Sequence, residues 1–451
     1  MRPLRVPRAT RLGAATLAAL TTVAALPAPA SADTGPGWVS GWLGDTTIGA
    51  SGAPGRTALF NLSSSADAVS PRATFDVAGL AGVATATFPD WCVTGASTVT
   101  CPMPPDATQD EWGINGNVPI VLRALPGAAD GASGTIGYTP LADGLDAWAQ
   151  QATVTVHAGP DAIDLVDEYI DGADTGDRLA MPVAVLSAGD QPVDDLRITF
   201  RFPVGLEPAA YRNCQYGARD QLSTIVVCKV GGLLAPGARY EVPGGFATTV
   251  GPAAVGDKRI VQSVAPADSA GPLPEGVTFS RRDADQSLRL RQAAEPVDVI
   301  GPDHQYASGQ YYLRDIHGAF DVVALGASAT GAVGDTVRVQ VGLRNDGPGV
   351  PDGTISGDNA ARFVFTPPAG TTVTGSPAGC WLWGDEESDE VSTTWYCPKP
   401  GGVFAAGETF LVAFDLRIDG PTGAPGEVRL QSPYPRTDDN PANDIAPVTV
   451  G

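Results

Sequence analysis

Two stretches near the end of the chain leave almost no choice but β-structure. Thr336 to Asn345 (TVRVQVGLRN) places Val337, Val339, Val341 and Leu343 on one side and Arg338, Gln340 and Arg344 on the other. Glu408 to Ile418 (ETFLVAFDLRI) repeats the pattern with Phe410, Val412, Phe414, Leu416 and Ile418. An apolar period of two marks a strand with one face buried and one wet. Between the two stretches sit Cys380 and Cys397, with sixteen residues between them.

The same grammar occurs twice more. Leu196 to Phe202 (LRITFRF) alternates in the same way and precedes Cys214 and Cys228. Arg72 to Val77, Val118 to Leu122 and Thr153 to Val156 read as strands around Cys92 and Cys101, with Asp143 to Gln150 as a polar connection between units. Gly55-Arg56, Gly176-Asp177 and Gly334-Asp335 each stand before a strand, and Leu234-Ala235-Pro236-Gly237 matches Phe404-Ala405-Ala406-Gly407. Repetition at this period indicates an array of like units. No stretch sustains a helical apolar period, and Gly and Pro punctuate short strands throughout. The fold class expected is all-β: three tandem immunoglobulin-like β-sandwiches. The divisions read from the sequence are 1–32 as a leader, 33–157, 158–295, 296–319 as a linker or an extra strand, and 320–451.

The leader reading rests on Arg2, Arg5, Arg8 and Arg11, the apolar run Leu12 to Leu26, and Ala30-Ser31-Ala32 as a small-residue cleavage site. Together these form a secretory signal, and the mature protein is expected to begin at Asp33. Without those four arginines, 24 Lys and Arg face 50 Asp and Glu, a net charge of −26. Such a balance argues against nucleic acid or an anionic membrane as principal partner. No second apolar span of membrane length follows, and no wall-sorting motif is read near Gly451, so release or non-covalent retention at the envelope is expected. Six cysteines in an exported chain predict three local disulfides, Cys92–Cys101, Cys214–Cys228 and Cys380–Cys397.

The third unit resembles a bacterial surface-repeat family catalogued as a domain of unknown function (number eleven). The residues that carry the resemblance are Asn345-Asp346-Gly347-Pro348, Pro367-Pro368-Ala369-Gly370, Cys380 with Cys397, Ala405-Ala406-Gly407-Glu408, and Asp438-Asp439-Asn440-Pro441-Ala442-Asn443. The family's L-P-x-G has Pro367 in place of its Leu here, and unit two lacks the N-x-G-P turn. The resemblance implies a β-sandwich module of stalks and surface layers, with no catalytic residues to carry over.

Residues able to bind something fall into two groups. Trp381 and Trp383, one residue apart, share a face of an extended segment and can stack on sugar rings or anchor a protein; Trp395 reads as core. Acidic residues crowd Asp161 to Asp177, Asp385 to Glu390, and Asp438, Asp439, Asn443 and Asp444. Calcium, which takes six to eight oxygens, is a possible ligand of the last group, but no D-x-[DN]-x-[DN]-G loop is present and a solvated face is the simpler reading. No G-x-S-x-G, H-E-x-x-H or phosphate-cradling loop occurs, and His157, His304 and His317 are scattered. The function expected is a secreted, non-catalytic structural or adhesive protein of the extracellular space or envelope. Its partner would be a cell-wall or extracellular polysaccharide or a surface protein. The alternative is a carbohydrate-binding protein using the two tryptophans.

Overall fold

The computed structural model describes residues 37–145, 148–220, 223–302, 307–353, 359–375, 377–383, 393–431 and 438–451. The leader, His304 and the Asp385–Glu390 cluster lie outside them. Among the described residues the only helical elements are two three-residue 3₁₀ turns, Ala78–Leu80 and Pro441–Asn443. No helix there is long and apolar enough to cross a membrane.

The chain forms three β-sandwiches with one strand order. In the third, the larger sheet runs Ala327–Ala329, Ile445–Val450, Gly426–Gln431, Arg362–Thr366, Trp395–Pro398 and Trp381–Leu382. In the second it runs Asp167–Asp171, Ser308–Ile316, Gly256–Pro266, Val193–Pro203, Ser223–Leu234 and Cys214–Asp220. In the first it runs Thr46–Gly49, Gln150–His157, Ser133–Leu141, Arg72–Asp76, Thr98–Pro102 and Val93–Thr94. In every case the first strand lies parallel to the last one of the unit, while all other pairs are antiparallel. The smaller sheet of unit three is Val322–Leu325, Thr336–Asn345, Thr409–Ile418 and Thr371–Val373. The chain therefore enters each sandwich on one sheet and crosses at once to the other, the sheet-switching habit of immunoglobulin-like domains.

Alternation in the sequence becomes a buried face in each unit. Val339, Val341 and Leu343 line the inner face of the smaller sheet beside Phe414 and Leu416 of the neighbouring strand, and Phe414 meets Phe365 of the facing sheet at 4.3 Å. Phe200, Phe202 and Phe246 pack at ring separations of 4.4 to 5.9 Å in the second, and Phe60 meets Phe75 edge-on at 4.9 Å in the first. Burying a large aromatic side chain stabilises the fold by about 1.5–3 kcal/mol, so each core rests on a few rings. Gly342 is required for its size: a Cβ there would strike the Phe410 carbonyl on the neighbouring strand.

One alternative left open by the sequence is decided, and one connection differs from its reading. Segment 296–319 contains Ser308–Ile316, which pairs with Gly256–Pro266 and Asp167–Asp171, so this extra strand completes unit two. Asp143 to Gln150 joins the last two strands of unit one instead of connecting units. Unit two also divides its smaller sheet. Arg178–Met181 and Ala184–Ser187 are parted by Pro182, and Arg239–Glu241 and Phe246–Val250 by Pro243-Gly244-Gly245. A proline cannot donate to a ladder, and both glycines take positive φ there (77° and 69°).

The units meet through specific contacts. Val299–Ile300 adds in parallel to Gly55–Arg56 of unit one, and Gly55 donates to the Asp298 carbonyl at 2.8 Å. Arg123 pairs with Asp298, and Arg56 lies 3.9 Å from Asp161. At the second junction Val255 packs into the core of unit three, and the Val350 N–H donates to Ala253 at 2.9 Å.

Candidate functional site

The cysteines form Cys92–Cys101, Cys214–Cys228 and Cys380–Cys397 disulfides, with Cα separations of 4.3, 4.0 and 4.4 Å. Each ties the outermost hairpin of its larger sheet, and Cys214 stands directly opposite Cys228. An edge hairpin has a neighbour on one side only, so the same weak place is stapled three times.

In unit three that stapled hairpin carries an exposed aromatic cluster. Trp381 pairs with Tyr396 in the register, and directly opposed residues share a sheet face. Trp381 and Trp383 are 53% and 40% exposed. Their rings lie 4.7 and 5.0 Å from the Tyr396 ring. Trp383 is held by its N–H, which donates to the Thr394 carbonyl at 2.7 Å. Arg362 on the adjoining strand donates from Nη1 to the Tyr396 hydroxyl at 3.2 Å, and its guanidinium lies 5.9 Å from the ring centre. Behind them Trp395 is buried 6.0 Å from Phe414. Sequence reasoning singled out the two tryptophans and missed Tyr396 and Arg362. Both were readable by alternation: Trp395 and Cys397 point inward, so Tyr396 points out, and Phe363 and Phe365 leave Arg362 on the outer face.

Four more tryptophans are exposed in unit one, Trp38, Trp42, Trp112 and Trp148. None of them makes a ring–ring contact among the described residues.

The terminal acidic motif works as a clasp. Asp438 accepts from the N–H groups of Val322 at 2.8 Å and Asn440 at 3.1 Å, and Asp439 accepts from Phe320 at 2.9 Å. Asn443 donates to Asp321 at 2.9 Å. These bonds fasten the last loop to the first strand of the unit. Burial, then the neighbouring carboxylates Asp438 and Asp321, push the Asp444 carboxyl up to about 6. The Oδ1 atoms of Asn443 and Asp444 are buried without a hydrogen-bond partner. Among the described residues no three His, Cys, Asp or Glu side chains converge as metal ligands.

The acids of Asp161 to Asp177 are dispersed. Asp164 is buried and accepts from Gln262 Nε2 at 2.6 Å and from the Val166 N–H at 3.0 Å. Asp174 instead lies 3.0 Å from His317 on the surface.

The strand order, the sheet-switching first strand and the paired layers define a tandem array of immunoglobulin-like β-sandwiches. No family model matches the chain, and no curated protein matches it. Several solved structures align with it loosely. A chain of the crystal structure of Dpr2 Ig1-Ig2 in complex with DIP-Theta Ig1-Ig3 is 10% identical, with 92% of this chain and 99% of that one covered at a TM-score of 0.24. The titin z1z2 domains in complex with telethonin are 13% identical over 62% and 96%, at 0.16. The C-terminal domain of the Streptococcus agalactiae polypeptide BspA is 6% identical over 50% and 95%, at 0.16. Superposition at these scores is loose, and the fold assignment rests on the strand order itself.

Proposed function

We propose that the protein is a secreted, non-catalytic structural or adhesive protein of the extracellular space or cell envelope. Its third unit would belong to the surface-repeat family whose motifs it carries. The residues of those motifs support this reading, because they hold backbone instead of presenting chemistry. Asn345 donates to the Gly349 and Phe404 carbonyls at 2.9 and 2.8 Å, Glu408 caps the Ala405 N–H at 2.9 Å, and Asp438 and Asp439 clasp the first strand.

The adhesive surface is the Trp381–Tyr396–Trp383 face, and its partner is a polysaccharide. The observation that carries this is two exposed indoles packed on the Tyr396 ring, at 4.7 and 5.0 Å. Three rings fixed on a stapled hairpin offer a row of apolar faces at little entropic cost, which suits the C–H face of a pyranose. Arg362 beside them supplies hydrogen-bond donors for sugar hydroxyls.

Affinity electrophoresis of the mature protein through gels containing soluble polysaccharides tests the reading. At least one neutral glycan retards the protein, and W381A/W383A abolishes the retardation while its far-UV circular dichroism is unchanged. Equal retardation of the variant and the parent overturns it.

A further inference from the structure

Unit two departs from its neighbours in one connection. Between the last two strands of the larger sheet, unit one spends residues 142–149 and unit three 432–444, but unit two spends 267–307. Connections this long within a compact sandwich are uncommon and are often functional. The first half of this one is strapped across the outer face of the sheet. The Ala267 N–H donates to the Asp195 carbonyl at 2.8 Å at one end. Ser280 bridges Tyr216 near the other, and Arg282 stacks 4.3 Å above the Tyr216 ring. Further along, Arg212 donates to the Gln286 carbonyl at 2.8 Å and Asn213 exchanges two bonds with Leu288.

Between the strap and the sheet lies an open cleft of about 600 Å³, in the range of ligand sites. Its lining is the reverse of the protein's overall charge: Arg197, Arg212, Lys229 and Arg281 against the single acid Asp195. Three come from the sheet and its margin, and Arg281 from the strap. Of the four, only Lys229 is in an ion pair among the described residues, at 2.9 Å from Asp195. Arg197 is held by a bond from Nη1 to the Gly271 carbonyl of the strap. Val227 and Leu273 add apolar surface, and Gln215 an amide.

We propose that this cleft binds an acidic saccharide segment, its carboxylate, sulfate or phosphate groups held by Arg212, Arg281 and Arg197. Guanidinium groups form forked, charge-assisted bonds to such oxyanions. The polar amide and apolar walls suit the hydroxyls and ring face of the sugar that bears them. A net charge of −26 on the mature chain does not forbid this. The Debye length is about 8 Å at physiological ionic strength, so distant acids are screened while the lining cations are in contact. It does disfavour long polyanions such as nucleic acid, whose ends would meet the acidic surface outside the cleft. The inference goes beyond the aromatic face of unit three and stands independently of it.

The test is isothermal titration of the full mature protein with a heparin hexasaccharide, an oligogalacturonate hexamer and a neutral maltohexaose. Oligogalacturonate presents carboxylates alone, so binding of heparin without it points to sulfate. The expected result is binding of at least one acidic oligosaccharide, weakened at least tenfold in R212Q/R281Q and by 0.5 M salt. W381A/W383A, which removes the proposed neutral-glycan face, should leave it unchanged. Arg212 and Arg281 are exposed, and an unaltered melting temperature of R212Q/R281Q shows that the fold is kept. Binding of neither acidic probe above the neutral one, or equal binding by R212Q/R281Q, overturns the proposal.

Discussion

Lys258 and Asp352 meet across the junction of units two and three, with Nζ 3.6 Å from the carboxylate and the lysine side chain wholly buried. Nζ also donates to the Val350 carbonyl at 3.1 Å. Burial pulls the lysine down to about 8, with Asp352 opposing that shift. A buried ion pair adds little net stability over an apolar substitute, yet losing one partner is expensive. Spanning the junction, the pair would fix one angle and register between neighbouring sandwiches.

Replacing the lysine alone tests that lock. K258M takes the buried cation from the junction and is expected to cost up to about 3–5 kcal/mol in guanidinium unfolding. K258M/D352N, which removes both charges, should recover part of the loss. A single variant within 0.5 kcal/mol of the parent, the range of an ordinary surface change, would show that the pair does not fasten the units.

Asp164 gives unit two a pH dependence. Burial, opposed by its bonds from Gln262, Val166 and Gly309, pushes its carboxyl up to about 7, against about 4 in an unfolded chain. Between those values the folded protein holds a proton that the unfolded chain has released, so folding is favoured at the acid end. Stability should therefore decline as pH rises from about 4 to 7 and level off above. Urea midpoints at pH 5 and pH 8 read this directly: the parent falls, and D164N falls less. Identical slopes in both would contradict it.

Asn345 holds the turn into the third unit's first long connection. Besides its two donated bonds, its Oδ1 accepts from the Gly347 N–H at 3.1 Å, and the residue is fully buried. N345A leaves the Gly349 and Phe404 carbonyls without their donor and should cost on the order of 3 kcal/mol in thermal unfolding. N345D should be no better, since it turns a carboxylate toward two carbonyls.

The disulfides should each act locally. C214S/C228S opens a loop with a sequence separation of 14 and should cost about 3 kcal/mol. The transition of unit two should move in calorimetry and that of unit three should stay. A uniform shift of all transitions would mean that the staple acts through the junctions.

Much of the fold was legible because alternation is a local signal. Thr336–Asn345 is a strand over the span that its sequence marks, and Phe200 and Phe202 point inward as their period requires. What escaped was set by partners distant in sequence. Ser308–Ile316 is a strand of unit two because Gly256–Pro266 is there to pair with it, and its tyrosines gave no sign of which sheet would take them. The basic cleft was invisible for the same reason. Arg197 and Arg281 are 84 positions apart, and only the strap brings them to one lining. Of the aromatic face, the tryptophans stood out by type, whereas Tyr396 needed the register of the hairpin.

In the proposed function, unit three makes the adhesive contact through Trp381 and Trp383. The most direct measurement is tryptophan oxidation footprinting by mass spectrometry, with and without the polysaccharide that retards the protein. Trp42 and Trp112, 64% and 76% exposed, serve as internal references. The glycan should protect Trp381 and Trp383 and leave Trp42 and Trp112 reactive. Protection of the unit-one tryptophans alone would place adhesion at the other end of the chain and contradict it.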